Sequence, residues 1–210
     1  MLFSNQKIRY NKLISKQTKF MPKKIIIGVS GNIGSFSEEA ANYYCQKNKI
    51  KNYKLEYLIG VDNVLSALAK KKINKGIFPL ENSNGGIVYE SVYAMAKYVF
   101  GIENLFEIDI KMNLLVKPGI KPGLIKKIVS HPQALKQCRM YLKRKWPAIN
   151  LEEYVDTASA AEDLSAGKLP ENTAVIAPRV CARIYKLDLA EESIQDLKFN
   201  FTTFVSAVKK

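Results

Sequence analysis

The run Lys24-Ile25-Ile26-Ile27-Gly28-Val29 narrows the possible folds more than any other stretch. Its β-branched residues lack polar alternation, which suits a strand covered on both faces, as in parallel sheets. Gly31-Asn32-Ile33-Gly34 then turns the chain. Ser35 with Glu38 three residues on is a capping-box pattern, which predicts a helix to about Asn48. A strand led through a glycine turn into a helix N-terminus presents free backbone N–H groups to an anion. The spacing is no dinucleotide or P-loop fingerprint, and alone it reads first as an ordinary βα turn.

The same rhythm continues along the chain. Tyr53 to Ile59 reads as a second strand, and Asp62 as the cap of a helix from Asn63 to Lys71. Gly76-Ile77-Phe78-Pro79-Leu80 is a third strand running into Glu81-Asn82-Ser83-Asn84-Gly85-Gly86. Open α/β sheets bind ligands at the carboxyl ends of their strands; ordinary turn chemistry would use the same residues. Alternating apolar residues from Leu105 to Val116 stop at Lys117-Pro118-Gly119, where a crossover to a second lobe fits. After a strand at Leu124 to Val129, Ser130 reads as a helix cap with Pro132 in the first turn. Gln137 lies two turns further on the same side, so both side chains can address one ligand, unless Ser130 only caps and Gln137 is solvated. Strands at Leu151–Val155 and Ala174–Ala177 alternate with helices capped by Asp156 or Thr157 and opened by Pro178. The class is therefore α/β. Asn200-Phe201-Thr202-Thr203-Phe204 begins the closing strand, where a threonine hydroxyl can face a cleft shared with the clusters around Ser35, Asn82 and Ser130.

Composition excludes several classes. No apolar run reaches the length of a membrane span. Cys45, Cys138 and Cys181 are odd in number and widely separated, which argues for a reducing, cytosol-like compartment and against a disulfide framework. With His131 the only histidine, a histidine-rich metal centre is impossible. The formal charge is +14, but half of it comes from Lys7, Arg9, Lys12, Lys16, Lys19, Lys23 and Lys24 in an acid-free leader. Residues 1–22 are expected to form a basic, disordered extension. The remaining lysine runs sit at helix ends, so no nucleic-acid partner is expected, and the positive body suits an anionic small molecule.

Taken together, the motifs resemble the catalytic domain of the prephenate/arogenate dehydratase family. They are Gly34-Ser35-Phe36-Ser37-Glu38, Pro79-Leu80-Glu81-Asn82-Ser83, Ser130 through Cys138, Asp156-Thr157-Ala158, Ile176-Ala177-Pro178, Leu187 through Glu191, and Asn200 through Phe204, in the family's order. The resemblance implies a two-lobed, periplasmic-binding-protein-like (type II) clamshell of mixed sheets flanked by helices. Lobe 1 would span about 23–102 plus 190–210, and lobe 2 about 103–189. It implies Thr202, Ser130, Gln137 and Asn82 as catalytic residues, and Ser35, Phe36, Ser37, Glu81, Ser83, Thr203 and Phe204 as substrate-binding. The implied activity is that of a carbon–oxygen lyase of phenylalanine biosynthesis, converting prephenate to phenylpyruvate with loss of water and carbon dioxide, without metal or cofactor. It also implies a cytoplasmic homodimer with no membrane association.

Two positions depart from the family pattern. Thr203 stands where the signature has arginine, and Asn32 where proline is frequent. These departures keep open an arogenate dehydratase, a non-aromatising prephenate decarboxylase and a catalytically silent ligand-binding module. Family members usually continue into a regulatory ACT domain, whereas this sequence ends at Lys210, so no feedback inhibition by phenylalanine through such a domain is expected.

Overall fold

The computed structural model describes residues 24–210. The expected basic extension lies outside the described residues. In chain order the elements are β1 (Ile25–Val29), α1 (Phe36–Lys47), β2 (Tyr53–Tyr57), α2 (Val61–Ala69), β3 (Lys75–Asn82), β4 (Gly86–Ile87), α3 (Tyr89–Lys97) and β5 (Gly101–Asp109). There follow β6 (Asn113–Val116), a 3-10 turn at Pro122–Leu124, β7 (Lys127–Ser130), α4 (Pro132–Gln137), α5 (Arg139–Lys145), β8 (Asn150–Glu153) and α6 (Thr157–Ser165). The chain ends with β9 (Thr173–Ala177), α7 (Arg179–Ile184), β10 (Asp188–Glu191) and β11 (Phe201–Val208).

Two mixed sheets result. The first has the order β2-β1-β3-β11-β5, with β4 paired to β3; the second has β10-β6-β9-β7-β8. β1 is parallel to β2 and β3, and β11 inserts antiparallel between β3 and β5. The closing strand therefore completes the first sheet only after the chain has built the whole of the second. The chain leaves the first sheet between Asp109 and Asn113 and re-enters it at Phe201. By sheet membership β5 thus belongs with the first lobe and β10 with the second, although the expected boundaries fell at 102/103 and 189/190. The single run expected from Leu105 to Val116 is two strands in different sheets, broken at Ile110-Lys111-Met112. Alternation persists through the break because Ile110 and Met112 are also buried, 2% exposed each, in the core that joins the lobes.

Helix caps follow local chemistry with two exceptions. The Ser35 hydroxyl accepts from Glu38 N at 3.3 Å, and Asp156 Oδ2 accepts from Ser159 N at 2.8 Å. Asp62 does not cap α2; its carboxylate binds Lys97 Nζ at 2.8 Å and the Tyr98 hydroxyl at 3.1 Å. The cap falls instead to Glu90, whose Oε1 accepts from Val61 N at 2.8 Å. Ser130 does not cap α4 either, since His131 Nδ1 accepts from Gln133 N at 3.3 Å. In α6, Ala158, Ala160, Ala161 and Leu164 are fully buried, and their small side chains let the helix lie close on β9.

Candidate active site

Between the sheets, at the crossings, lies a cavity of about 740 Å³, part of it open to solvent. Its walls are strand ends and helix N-termini: Ser35, Phe36 and Ser37 of the α1 entry, Val61, Asn82, His131, Gln137, Asp156, Thr157, Thr202 and Phe204. The cleft is shut on two sides. On one, Asn32 N donates to Asp156 Oδ2 at 3.4 Å and the Tyr185 hydroxyl to Ile33 O at 2.7 Å. On the other, Asn84 Nδ2 donates to Gln137 O at 2.9 Å.

A buried amide network spans the lobes here. Asn82 Nδ2 lies 2.9 Å from Thr202 Oγ1, 2.8 Å from Asn200 Oδ1 and 3.0 Å from Phe201 O. Asn82 is itself held by Asn84 N at 2.9 Å and Gly85 N at 2.6 Å, both donating to its Oδ1. Asn200 Nδ2 donates to Gln137 Oε1 at 2.8 Å and to Ile110 O at 3.1 Å. Thr202 Oγ1 accepts within this network, so its own O–H is left to donate into the cavity. Gln137 accepts through its oxygen, which turns its amide N–H groups toward the same space.

A β-bulge makes this possible. β11 pairs Thr203 with Glu81 but Phe204 with Pro79, leaving Leu80 as the extra residue of β3. Pro79 and Asn82 are three apart and would face opposite sides of a regular strand; with the bulge, both line the cavity.

Four of the expected residues lie outside the cavity wall. Ser130 is fully buried and donates its hydroxyl to Ile176 O at 2.6 Å, satisfying a carbonyl at the end of the β7–β9 ladder. The Ser83 hydroxyl accepts from Phe201 N at 3.0 Å, fastening the strand end. Glu81 and Thr203 alternate with Asn82 and Thr202 and so point to the other face, where Thr203 Oγ1 is 3.3 Å from Glu107 Oε1. Thr203, where the family signature has arginine, thus lies off the lining in this chain. Asn200, His131, Asp156 and Glu90 were not predicted as site residues, yet three line the cavity and Asn200 braces it. Asn200 and His131 lie within quoted motifs; Glu90 had no signal beyond an acid in a helical first turn.

Among the described residues the lining holds no lysine or arginine, despite the basic sequence, and its ionisable groups are Glu90, His131 and Asp156. Burial holds His131 below its ordinary 6.5, against the pull of Glu90, Asp156 and Glu153. The unfolded chain takes up a proton that the folded one resists, so this contribution to stability is complete above pH 6.5 and is lost as pH falls toward the depressed value. The melting temperature should accordingly fall on acidification below pH 6.5, with a shallower slope in His131→Asn. Parallel slopes for the two proteins would refute this.

A two-sheet fold with a polar cavity at its crossings has the form of proteins that enclose a small molecule. The sequence model of the family described as prephenate dehydratase matches residues 27–210, and the chain belongs to that family. It is 31% identical to arogenate dehydratase 1 of Petunia hybrida over 65% of this chain and 32% of that protein. Against the bifunctional chorismate mutase/prephenate dehydratase of Stutzerimonas stutzeri it is 30% identical over 83% of this chain and 46% of that one. The chain thus spans less than half the length of these curated relatives. The prephenate dehydratase of Arthrobacter aurescens, solved in complex with L-Phe, shares the fold with a TM-score of 0.76 and 23% identity, over 89% of this chain and 61% of that one.

Proposed function

We propose that the chain is a dehydratase that aromatises the 1-carboxy-4-hydroxycyclohexadiene ring shared by prephenate and arogenate, giving phenylpyruvate from prephenate. The supporting observation is the Thr202 hydroxyl, fixed by Asn82 with its proton free toward the cavity. In the reaction the ring C–O bond breaks and the hydroxyl leaves with a proton from Thr202, which solvent replaces. The electron pair of the breaking C–C bond enters the ring as the carboxylate departs as carbon dioxide, and aromatisation drives both steps. Asn82 Nδ2, already donating to Thr202 Oγ1, stabilises the charge that develops there. Backbone N–H groups of the α1 entry, at the positive end of a 12-residue helix, support a substrate carboxylate in place of a cationic side chain. Phe36, Ile110, Met112 and Phe204 supply apolar walls, which favour loss of a carboxylate as neutral carbon dioxide.

The test is incubation of the purified protein with prephenate and with arogenate, with the products identified by mass spectrometry. Phenylpyruvate or phenylalanine supports the reading. A dihydro-hydroxyphenylpyruvate would instead mark a non-aromatising decarboxylase, and unchanged substrates a binding module.

We further propose a homodimer in a reducing, cytosol-like compartment. Supporting the dimer are the terminal position of β5 in its sheet and the exposed Tyr89 and Tyr93, stacked 6.4 Å apart on α3. Supporting the compartment are three buried, unpaired cysteines; burial raises all three thiols, Cys45 to about 11.

A further inference from the structure

His131 lines the cavity but takes no part in the dehydration step, and one edge of its imidazole is idle. Nδ1 accepts from Gln133 N at 3.3 Å and so caps α4. A backbone N–H can only donate, so Nδ1 keeps its lone pair and the neutral ring carries its proton on Nε2. That Nε2–H has no partner among the described residues and, in contrast to Gln133 Oε1, is not sealed from solvent. Capping alone does not account for the residue, since Asn, Asp, Ser and Thr cap helices better. The charged groups close enough to act on the ring are Glu90 at the start of α3, Asp156 at the cap of α6 and Glu153 at the end of β8; burial outweighs them and keeps the ring neutral.

Prephenate and arogenate each carry two carboxylates at the end of the ring opposite the hydroxyl, one on the ring itself and one on the side chain. Among the described residues no lysine or arginine lines the cavity, so neutral N–H and O–H groups must hold both. Thr202 and Gln137 face the ring hydroxyl in the dehydratase reading, and the α1 entry can serve one carboxylate. His131 stands six residues before Gln137, an offset of about 9 Å along α4. A ring with its hydroxyl at Thr202 and Gln137 can therefore turn its carboxylate-bearing end toward Nε2. The side-chain carboxylate is present in substrate, transition state and product alike, so a donor fixed on it raises affinity without changing the chemical step.

We propose that the Nε2–H of His131 binds the side-chain carboxylate of the substrate, an inference that rests on the dehydratase reading of the same cavity. Two measurements test it. The first is KM at pH 8 for the wild type and for His131→Asn, in which an asparagine oxygen keeps the α4 cap while the imidazole is gone. KM is expected to rise about tenfold or more, as for a lost hydrogen bond to a charged group, with kcat changed by less than about threefold. The second follows the imidazole of the wild type by nuclear magnetic resonance across pH, with and without phenylpyruvate. His131 is the only histidine of the chain, so it gives a single titration. The midpoint of the free protein is expected below 6.5, and phenylpyruvate, with its carboxylate against Nε2, should raise it by about one pH unit or more. A KM in His131→Asn within about threefold of wild type, or a midpoint that phenylpyruvate leaves in place, would overturn the contact and leave His131 as a helix cap only. If His131→Asn does not fold, the wild-type midpoint decides alone. If neither prephenate nor arogenate is turned over, the dehydratase reading fails by itself; a midpoint raised by phenylpyruvate would still support the carboxylate contact, and an unmoved one would overturn it.

Discussion

Replacing Thr202 by valine is expected to lower kcat by about 10²- to 10⁴-fold, the range for losing a positioned proton donor, with KM changed little. Valine has nearly the same shape and the same β-branching, so β11 keeps its strand conformation and the cavity its outline. The fold should tolerate the loss, because Asn82 Nδ2 still has Asn200 Oδ1 at 2.8 Å and Phe201 O at 3.0 Å, and no buried donor is orphaned. What disappears is an O–H group whose interaction strengthens as the ring hydroxyl acquires negative charge. A loss in kcat with KM preserved is the signature of that kind of interaction. Thr202→Ser retains the hydroxyl without the methyl that fixes its rotamer, and should recover part of the rate. Initial rates with the preferred substrate decide the matter. If Thr202→Val keeps its rate within threefold of wild type, the proton comes from elsewhere, and the neutral imidazole of His131 becomes the candidate.

The chain order of strands and helices was legible because strand and helix periods leave separate marks on the sequence, and Ser35 and Asp156 announce their helices by residue type alone. Ser35, Asn82, Gln137 and Thr202 stand out as polar residues at strand ends and helix entries, the first three each with an ordinary turn, cap or surface reading beside it, whereas Phe36, Ser37 and Phe204 are expected at the cavity only through the family resemblance. Ser130 shows the limit of that logic: the same residue type in the same kind of position serves a carbonyl of the neighbouring strand, and only the ladder reveals it. The Leu80 bulge is a tertiary event, set by how β11 docks, and no local pattern predicts which residues share a face across it. For a related reason the boundary at residues 110–112 was hidden, since buried hinge residues continue the alternation of the strands they join. Glu90 carries no motif, and its place at the cavity follows from the packing of α3 beside α2.

Asn200→Leu should be the most destabilising single change at the site, by about 3 kcal/mol, with a melting temperature about 10 °C lower, given about 1–3 kcal/mol per unpaired buried polar group and about 2–4 °C per kcal/mol in a domain of this size. The side chain is fully buried and every polar position on it is used: Nδ2 reaches Gln137 Oε1 and Ile110 O, and Oδ1 receives Asn82 Nδ2. Leucine has the same number of side-chain heavy atoms and the same branching, with bulkier methyl groups, so no cavity enters the comparison, but it strands two buried acceptors, Gln137 Oε1 and Ile110 O. Their location sharpens the effect. Ile110 lies where the chain leaves the first sheet and Asn200 where it returns, and the backbone joins the same two points, with Ile110 N donating to Asn200 O at 2.7 Å. One amide thus ties both crossings to α4 and to the asparagine that orients Thr202. Thermal unfolding followed by circular dichroism tests this directly, and a melting temperature within 2 °C of wild type would show that water or a relaxed backbone replaces the lost partners. If the melting temperature does fall, kcat of the folded variant should fall with it, because Gln137 and Asn82 lose the group that fixes their amides relative to each other.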